Sequence, residues 1–358
     1  MENRHTIIEE AVTKIFKSRC KNYIFVYTPP KVGSTTLVSS LRLSLNASCN
    51  VIHIHDDIML GVLTGIKNVT VNEIIAYLAD KGNNIYVIDV YRTPIERKMS
   101  EFFEKISIYH FNNLDKDISR YSVKRITDRF NKLFPYLARG EHYFDKFGLD
   151  NIVDFDFDSK YTLQTCNGIQ YIKLRLKDVD SWAAILSTIF KKDIVIVNDY
   201  LTDDKPIADL YNRFKKEYKL PSNYYDLVQD CKYFKFYLAD NERSDYLSRY
   251  AHRLGVNFVS YTQSEYDFYM NLCLENQFFD DIQTDHYLDE GCACNTCNIE
   301  RAKLFGMLKK GIKTTKRIIH RECLNKQKDN TVHKLKMIQQ QINQTGGLNM
   351  SSIIYKRG

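Results

Sequence analysis

The chain has 358 residues, 44% of them hydrophobic and 27% charged, a composition typical of a globular protein with a large buried core. Its net charge of +7 is unevenly distributed: residues 301–358 contain 14 Lys and Arg against Glu322 and Asp329, a net charge of +12, which leaves −5 for residues 1–300. This distribution argues against a protein that binds nucleic acid over its whole surface, although it allows a polyanion-binding tail.

The first segment is polar and charged. Its apolar residues recur at the spacing of an amphipathic helix, predicted for residues 6–18, rather than at that of a signal peptide. No run of 18 apolar residues occurs in the sequence, so we expect no membrane span and a cytoplasmic location. The nine cysteines should then be reduced, and an odd number also fits poorly with a fully paired disulfide framework.

A buried parallel strand is predicted at residues 23–28, followed by a short loop and a helix that runs to about Leu45. The loop reads Pro-Pro-Lys-Val-Gly-Ser-Thr-Thr over residues 29–36. Successive N–H groups and the helix dipole favour an anion at such a turn, and Lys31 adds a full positive charge. In the ATP and GTP loop the lysine follows the glycines, whereas Lys31 precedes Gly33, so this is a different loop. An ordinary lysine-bearing turn is the alternative.

The second predicted strand, residues 50–55, ends in His53 and His55. The order of strand, helix and strand predicts parallel pairing, with ligands at the carboxyl ends of the strands. Alternation places both histidines on one face of the strand, and a histidine titrates near neutral pH, which suits a general base. The alternative is that both are structural residues at a strand end.

The third predicted strand, residues 85–91, follows a helix at 72–81 and leads into Arg92. Pro94 opens the next helix, and Ser100 lies on it, eight residues after Arg92. An arginine presents a planar fork of donors to phosphate oxygens, and a hydroxyl two helical turns along can add another donor. An ion-paired surface arginine and an ordinary helical serine are the alternative.

Together, the loop at 29–36 and the Arg92 and Ser100 pair resemble the two phosphate sites of sulfotransferases that use 3′-phosphoadenosine 5′-phosphosulfate (PAPS), in particular the carbohydrate and capsular-polysaccharide group. The resemblance implies an α/β fold with a P-loop-like parallel sheet flanked by helices. It implies that Arg92 and Ser100 hold the 3′-phosphate. It implies that the 5′-phosphosulfate is held by Lys31, Val32, Gly33, Ser34, Thr35 and Thr36.

The resemblance also implies a catalytic role for Lys31 and a histidine or glutamate base near the end of the second strand. Of His53 and His55, we favour His55 because it is nearer the strand's end. The implied reaction moves a sulfuryl group from PAPS to a hydroxyl of a carbohydrate acceptor, such as a capsular or surface glycan. No metal is required for that chemistry, and no nucleic-acid partner is expected.

Further matches to the group extend the resemblance over about residues 20–250. The predicted helices at 94–110 and 118–134 would wall the acceptor cleft, and their basic residues either meet an acidic sugar or form a solvated face: Arg97, Lys98, Lys105, Arg120, Lys124 and Arg125. A strand with the letters Leu-Arg-Leu at 174–176 leads into a helix containing Trp182, although Lys177 stands where the group commonly has glutamate. A strand at 194–198, Lys205 and a helix at 206–218 follow.

Beyond the first domain, residues 1–250, we expect a mainly helical C-terminal extension, residues 251–358. It contains Cys292, Cys294 and Cys297, which could bind a structural zinc with a fourth ligand from His286, His320 or Cys323; free thiols or a redox cluster are the alternatives. The basic helical tail from Met307 to Gln344 could touch an anionic membrane surface or a polysaccharide, or simply pack by its apolar side.

Two other functions compete with sulfuryl transfer. An ATP-dependent small-molecule or sugar kinase would bind ATP with magnesium, and the order of Lys31 and Gly33 disfavours it. A non-catalytic protein of the same fold would bind a nucleotide or a glycan without turnover. The sequence does not indicate the oligomeric state.

Overall fold

The computed structural model describes residues 4–16, 20–45, 48–110, 114–197 and 206–275, with a few positions between 303 and 312. The helices described before residue 146 are α1 (Arg4–Ile15), α2 (Ser34–Leu45), α3 (Asp57–Thr64), α4 (Val71–Asp80), α5 (Pro94–Glu104), α6 (Ile106–Tyr109), α7 (Asp115–Ile118), α8 (Val123–Leu133) and α9 (His142–Asp145). The later helices are α10 (Trp182–Phe190), α11 (Ala208–Glu217), α12 (Ser222–Gln229), α13 (Lys232–Tyr237), α14 (Asp240–Ala251) and α15 (Gln263–Glu275).

A five-stranded sheet forms the centre of the fold. Its strands are β1 (Asn22–Tyr27), β2 (Asn50–Ile54), β3 (Asn84–Tyr91), β4 (Tyr161–Cys166) and β5 (Ile169–Arg175). They lie in the order β2-β1-β3-β5-β4, and every pair is parallel except β4 with β5. Helices cover the sheet, so the predicted α/β class with a mainly parallel sheet is confirmed.

Alternation along the strands divides the core between the two faces of the sheet. Phe25 and Val87 face a cluster that includes apolar residues of α1 and α4, whereas Val26 and Ile88 face the helices α2 and α10. A third cluster is rich in Phe and Tyr and joins α5, α8 and the helices from α11 to α15. Because both faces of the sheet are covered, its carboxyl edge is the place where loops can form a site.

The third cluster extends past residue 250, where the sequence places the start of the extension. The short strands β6 (Leu220–Pro221) and β7 (Leu254–Gly255) pair in parallel, and α15 adds Tyr269 and Cys273 to the aromatic cluster. Residues 251–275 therefore pack with the preceding helices.

Three predicted elements differ from the observed ones, and one observed strand, β4, was not predicted. The predicted helix at 94–110 is divided into α5 and α6, and the one at 118–134 is an α-helix mainly over α8, since α7 ends at Ile118. The predicted strand at 194–198 is wrong over residues 194–197, which are neither strand nor helix; residue 198 lies outside the described residues. Within the described part of the chain, no helix is long and apolar enough to cross a bilayer.

Candidate functional site

The loop between β1 and α2 lies at the carboxyl edge of the sheet. Lys31 and Gly33 adopt the left-handed region, with φ of 67° and 88°, and the first α2 bond runs from the Leu37 N–H to the Gly33 carbonyl at 3.1 Å. Ser34, Thr35 and Thr36 form the first turn of α2, so their N–H groups lie at the N-terminal end of a twelve-residue helix. The loop thus has the backbone needed to bind an anion.

The backbone conformation at Gly33 favours glycine, and a side chain there would also have to displace Leu176. A Cβ at this position would lie 2.7 Å from Leu176 Cδ1 and 3.5 Å from Trp182 Cη2. Both neighbours are in the segment that follows β5, so the loop between β1 and α2 packs directly against the connection that follows β5.

Replacing Gly33 by alanine should therefore lower the free energy of unfolding by about 2–4 kcal/mol, because left-handed strain and the clash with Leu176 act together. Gly82→Ala is the matched control. Gly82 has a φ of 75°, but a Cβ at this position would have no neighbouring atom within 4 Å, so we expect a loss of only about 1 kcal/mol in the free energy of unfolding. Urea unfolding measures both variants. Equal losses would contradict a role for the Leu176 contact.

Arg92 is hydrogen-bonded to the loop between β1 and α2. It follows β3, the neighbour of β1, and its Nη1 donates a hydrogen bond to the Lys31 carbonyl oxygen at 2.9 Å. The Lys31 Nζ forms an ion pair with Glu104 Oε2 of α5 at 3.1 Å. Ser100 is buried and lies four residues before Glu104, so it shares that face of the helix. The structure therefore brings Lys31, Arg92 and the Ser100 face of α5 to one region.

The start of α5 is fixed by two tyrosines of α14. The Ile95 N–H donates to the Tyr246 hydroxyl at 3.2 Å, and that hydroxyl donates to Glu96 Oε2 at 2.5 Å. The Tyr250 hydroxyl donates to Glu96 Oε1 at 3.0 Å. These contacts hold the helix that follows Arg92 against the aromatic cluster.

His53 and His55 lie at the end of β2, and their ring centroids are 4.7 Å apart, as alternation predicts. His53 is buried within the strand, whereas His55 follows the strand and is partly exposed. Nδ1 of His55 lies 2.7 Å from the Thr28 carbonyl, which can only accept, so Nδ1 bears the proton. Burial lowers the pKa of His55 to about 4. The neutral ring thus presents an unprotonated Nε2 at pH 7.

The two carboxylates after His55 are engaged as structural groups. Asp56 accepts from the Met59 N–H at 2.7 Å and caps α3. Asp57 accepts from the Val71 N–H at 2.8 Å. His55 is therefore the better candidate base at this end of β2.

The lowered pKa of His55 predicts a pH-dependent stability. Its folded pKa of about 4 lies below the unfolded value, so the unfolded chain takes up a proton first and stability falls as the pH decreases from about 6.5 to about 4. His55→Asn, which keeps an N–H near Thr28, should remove about 1–2 kcal/mol of that loss, since the residue is only partly buried. Melting temperatures over this range test it, with the exposed His252→Asn as control. Parallel curves for His55→Asn and wild type would refute the assignment.

Two predicted acceptor-cleft residues are used inside the protein. Arg97 is buried and donates to the Gly140 carbonyl at 2.9 Å, and Lys98 Nζ donates to the Phe134 carbonyl at 2.9 Å. Burial lowers the pKa of Lys98 to about 8. Neither residue is therefore part of a solvated face. Lys105, Arg120 and Lys124 form ion pairs within their own helices or helix ends.

A buried charge network next to the site was not predicted. Lys173 of β5 is fully buried and donates to Asp89 Oδ2 of β3 at 2.7 Å and to Glu141. His142, the next residue after Glu141, has its Nε2 2.7 Å from the His55 carbonyl. Burial lowers the pKa of Lys173 to about 8, against the opposing effect of Asp89. The one sequence signal is a lysine placed between Ile172 and Leu174 in the middle of a strand.

The chain has no match among protein-family models, curated proteins or solved structures. Any function must therefore be inferred from the edge of the sheet itself. The predicted zinc ligands Cys292, Cys294 and Cys297 and most of the basic tail lie outside the described residues, as does Lys205.

Proposed function

We propose that the protein is a PAPS-dependent sulfotransferase with a P-loop-like fold, acting on a hydroxyl of a carbohydrate acceptor. The observation that carries the proposal is the hydrogen bond from Arg92 to the Lys31 carbonyl. It joins the two motifs that each resemble a phosphate site of that family, although they are 61 residues apart in the chain. A cation beside a phosphate loop suits a nucleotide with a second phosphate on its ribose.

In this proposal the two halves of the site bind different phosphates. The 3′-phosphate is held by Arg92 and the hydroxyl of Ser100. The 5′-phosphosulfate is held by the Lys31 ammonium and by backbone N–H groups of the loop and the helix start. These N–H groups belong to Val32, Gly33, Ser34, Thr35 and Thr36. The side-chain hydroxyls of Ser34, Thr35 and Thr36 also bind it. Lys31 exchanges its Glu104 partner for the ligand when the nucleotide binds.

The reaction is an in-line displacement at sulfur. A bond forms between the acceptor oxygen and sulfur while the bond from sulfur to the bridging phosphate oxygen breaks, and 3′-phosphoadenosine 5′-phosphate (PAP) leaves. Nε2 of His55 accepts the acceptor proton, for which the Nδ1 bond to Thr28 sets the tautomer. His53 supports the His55 ring. Negative charge grows on the bridging oxygen, and Lys31 with the α2 N-terminus stabilises it.

Ligand-induced thermal stabilisation tests the cofactor. PAP at roughly a hundredfold above its Kd should stabilise the protein by about 2.7 kcal/mol, and more than ATP with magnesium or adenosine 5′-phosphate. Arg92→Ala should weaken PAP binding by about 10–100-fold, since a charge-assisted phosphate contact is lost. Arg120→Ala, an exposed arginine of another helix end, is the control.

The outcomes separate the competing functions. A larger shift with ATP and magnesium than with PAP would favour the kinase. A PAP shift that survives Arg92→Ala would remove Arg92 from the site. PAP binding with no transfer from PAPS to any acceptor in a glycan screen would favour a non-catalytic binding protein.

A further inference from the structure

A groove of about 680 Å³ lies between α8 and residues 258–261, built from elements other than those of the nucleotide site. Its lining is basic and aromatic: it includes Arg125, Arg129, Lys132, Phe258 and Tyr261. The same face of α8 contributes Lys124 and Asp128. Four cations and one carboxylate of a single helix thus line the groove, and one of the cations, Arg129, also donates to the Tyr109 carbonyl at 3.1 Å.

The cations differ in how far they are neutralised. Lys124 pairs with Asp128 at 2.6 Å. The Arg125 guanidinium lies 3.8 Å from the centre of the Tyr121 ring, and the Lys132 Nζ lies 5.5 Å from the ring centres of Phe258 and Tyr261. Within the described part of the chain, neither Arg125 nor Lys132 forms an ion pair with a carboxylate. Lys132 interacts electrostatically with Glu265, but four cations against Asp128 and Glu265 leave the groove with a net positive charge.

The loop that forms the other wall is firmly held. Asn223 donates to the Phe258 carbonyl at 3.0 Å and accepts from the Phe258 N–H at 3.1 Å. The Tyr261 N–H donates to the Lys132 carbonyl at 3.1 Å, and the Tyr136 hydroxyl donates to the Tyr261 carbonyl at 2.6 Å. These bonds fix the backbone on both sides of residues 259 and 260.

The same loop exposes two apolar side chains. Val256 is 86% exposed and Val259 is 80% exposed, on either side of Phe258 in the basic groove. The two exposed valines lie on the loop that lines the net positive groove, so apolar and cationic side chains share this part of the surface. That combination matches the boundary of an anionic bilayer, where apolar side chains enter the acyl region and Lys and Arg meet headgroup phosphates.

We propose that this surface, the α8 groove with Val256 and Val259, docks the protein on an anionic lipid membrane. The groove binds the phosphate of a lipid headgroup, and the two valines insert beside it. A soluble polyanion would use the cations but would leave the valines in water. The proposal depends neither on sulfuryl transfer nor on the basic tail of the chain.

Vesicle sedimentation of the full chain tests the proposal. The protein should sediment with vesicles of equimolar phosphatidylserine and phosphatidylcholine and stay in solution with phosphatidylcholine alone. Val256→Ser with Val259→Ser should lower the partition coefficient about tenfold, and Arg125→Ala with Lys132→Ala should lower it at least about tenfold.

Matched variants separate this surface from the rest of the chain. Ile58→Ser removes an apolar side chain that is 78% exposed on α3, and Lys216→Ala with Lys219→Ala removes two exposed lysines; neither change should alter sedimentation. The proposal is overturned if wild type does not sediment, or if the valine variant sediments like wild type, as binding through the tail would predict. Soluble heparin that binds wild type and the valine variant equally, with no vesicle binding, would assign the groove to a polysaccharide instead.

Discussion

Lys173→Met is expected to lower the free energy of unfolding by about 3–5 kcal/mol, because it leaves two buried carboxylates without their cation. Lys173 and Asp89 are both fully buried and 2.7 Å apart, and Glu141 contacts the same ammonium. The Tyr237 hydroxyl donates to Glu141 at 3.3 Å but supplies no charge. Urea or thermal unfolding at neutral pH measures the loss.

The pH dependence identifies the cause of that loss. In the variant, two buried carboxylates lack a cation, and a neutral carboxyl is much less costly to bury than a charged one. The deficit relative to wild type should therefore be smaller at about pH 5 than at about pH 8. Lys116→Met, at an exposed position of α7, should change stability by less than about 0.5 kcal/mol. A deficit that is independent of pH would point to packing rather than charge.

Lys31→Ala is expected to reduce the rate of sulfuryl transfer from PAPS by about 10²–10³-fold, the typical effect of removing one group that stabilises charge in a transition state. Lys31 is the only side-chain cation within the proposed 5′-phosphosulfate loop, residues 29–36. The readout is PAP formation from PAPS with an acceptor found by screening. An unchanged rate would refute the mechanism as drawn.

Two further variants of α5 separate this effect from general disruption. Lys105→Ala removes the neighbouring cation that pairs with Glu101 and should leave the rate unchanged. Glu104→Gln removes the ion-pair partner of Lys31 and should tighten PAP binding by up to about fivefold, because the ammonium no longer has to leave a carboxylate. Weaker PAP binding in Glu104→Gln would indicate that Glu104 positions Lys31 for the ligand.

The strands and the loop that position the site can be predicted from the sequence. β1 and β3 are apolar runs buried on both faces, and the loop and Arg92 follow them directly. Once the order of strands and helices indicates parallel pairing, the carboxyl ends must meet at one edge. The bond between Arg92 and Lys31 is a detail of that edge which a sequence cannot supply.

The sequence does not predict β4, because a polar side chain of this strand is buried while an apolar one is exposed. Thr162 is buried and Leu163 is 42% exposed, so the usual alternation of an edge strand is absent. The apolar run at 194–197 has the opposite outcome: its sequence predicts a strand that does not form. Ile194 and Val197 are buried, but serine hydroxyls accept from the N–H groups of this run in place of a neighbouring strand: Ser187 binds Ile194, Ser44 binds Val195 and Ser40 binds Val197.

The buried network around Lys173 escapes prediction for a third reason. A lysine in the middle of β5 signals that a carboxylate must be near, since a buried ammonium needs a partner. Its partners come from β3 and from the residue before α9, and nothing in the letters around Asp89 or Glu141 identifies them. Long-range pairing is a property of the fold, not of the local pattern.

The hydrogen bonds from Tyr246 and Tyr250 to Glu96 form late during synthesis on the ribosome. Ile95 and Tyr246 are 151 residues apart, so Arg92 and Ser100 are made long before the tyrosines that fix the start of their helix. At about 5–20 residues per second, that interval is roughly 8–30 s. For that time Arg92 and Ser100 lie beside and on a helix whose start lacks the two tyrosine hydroxyls that fix it.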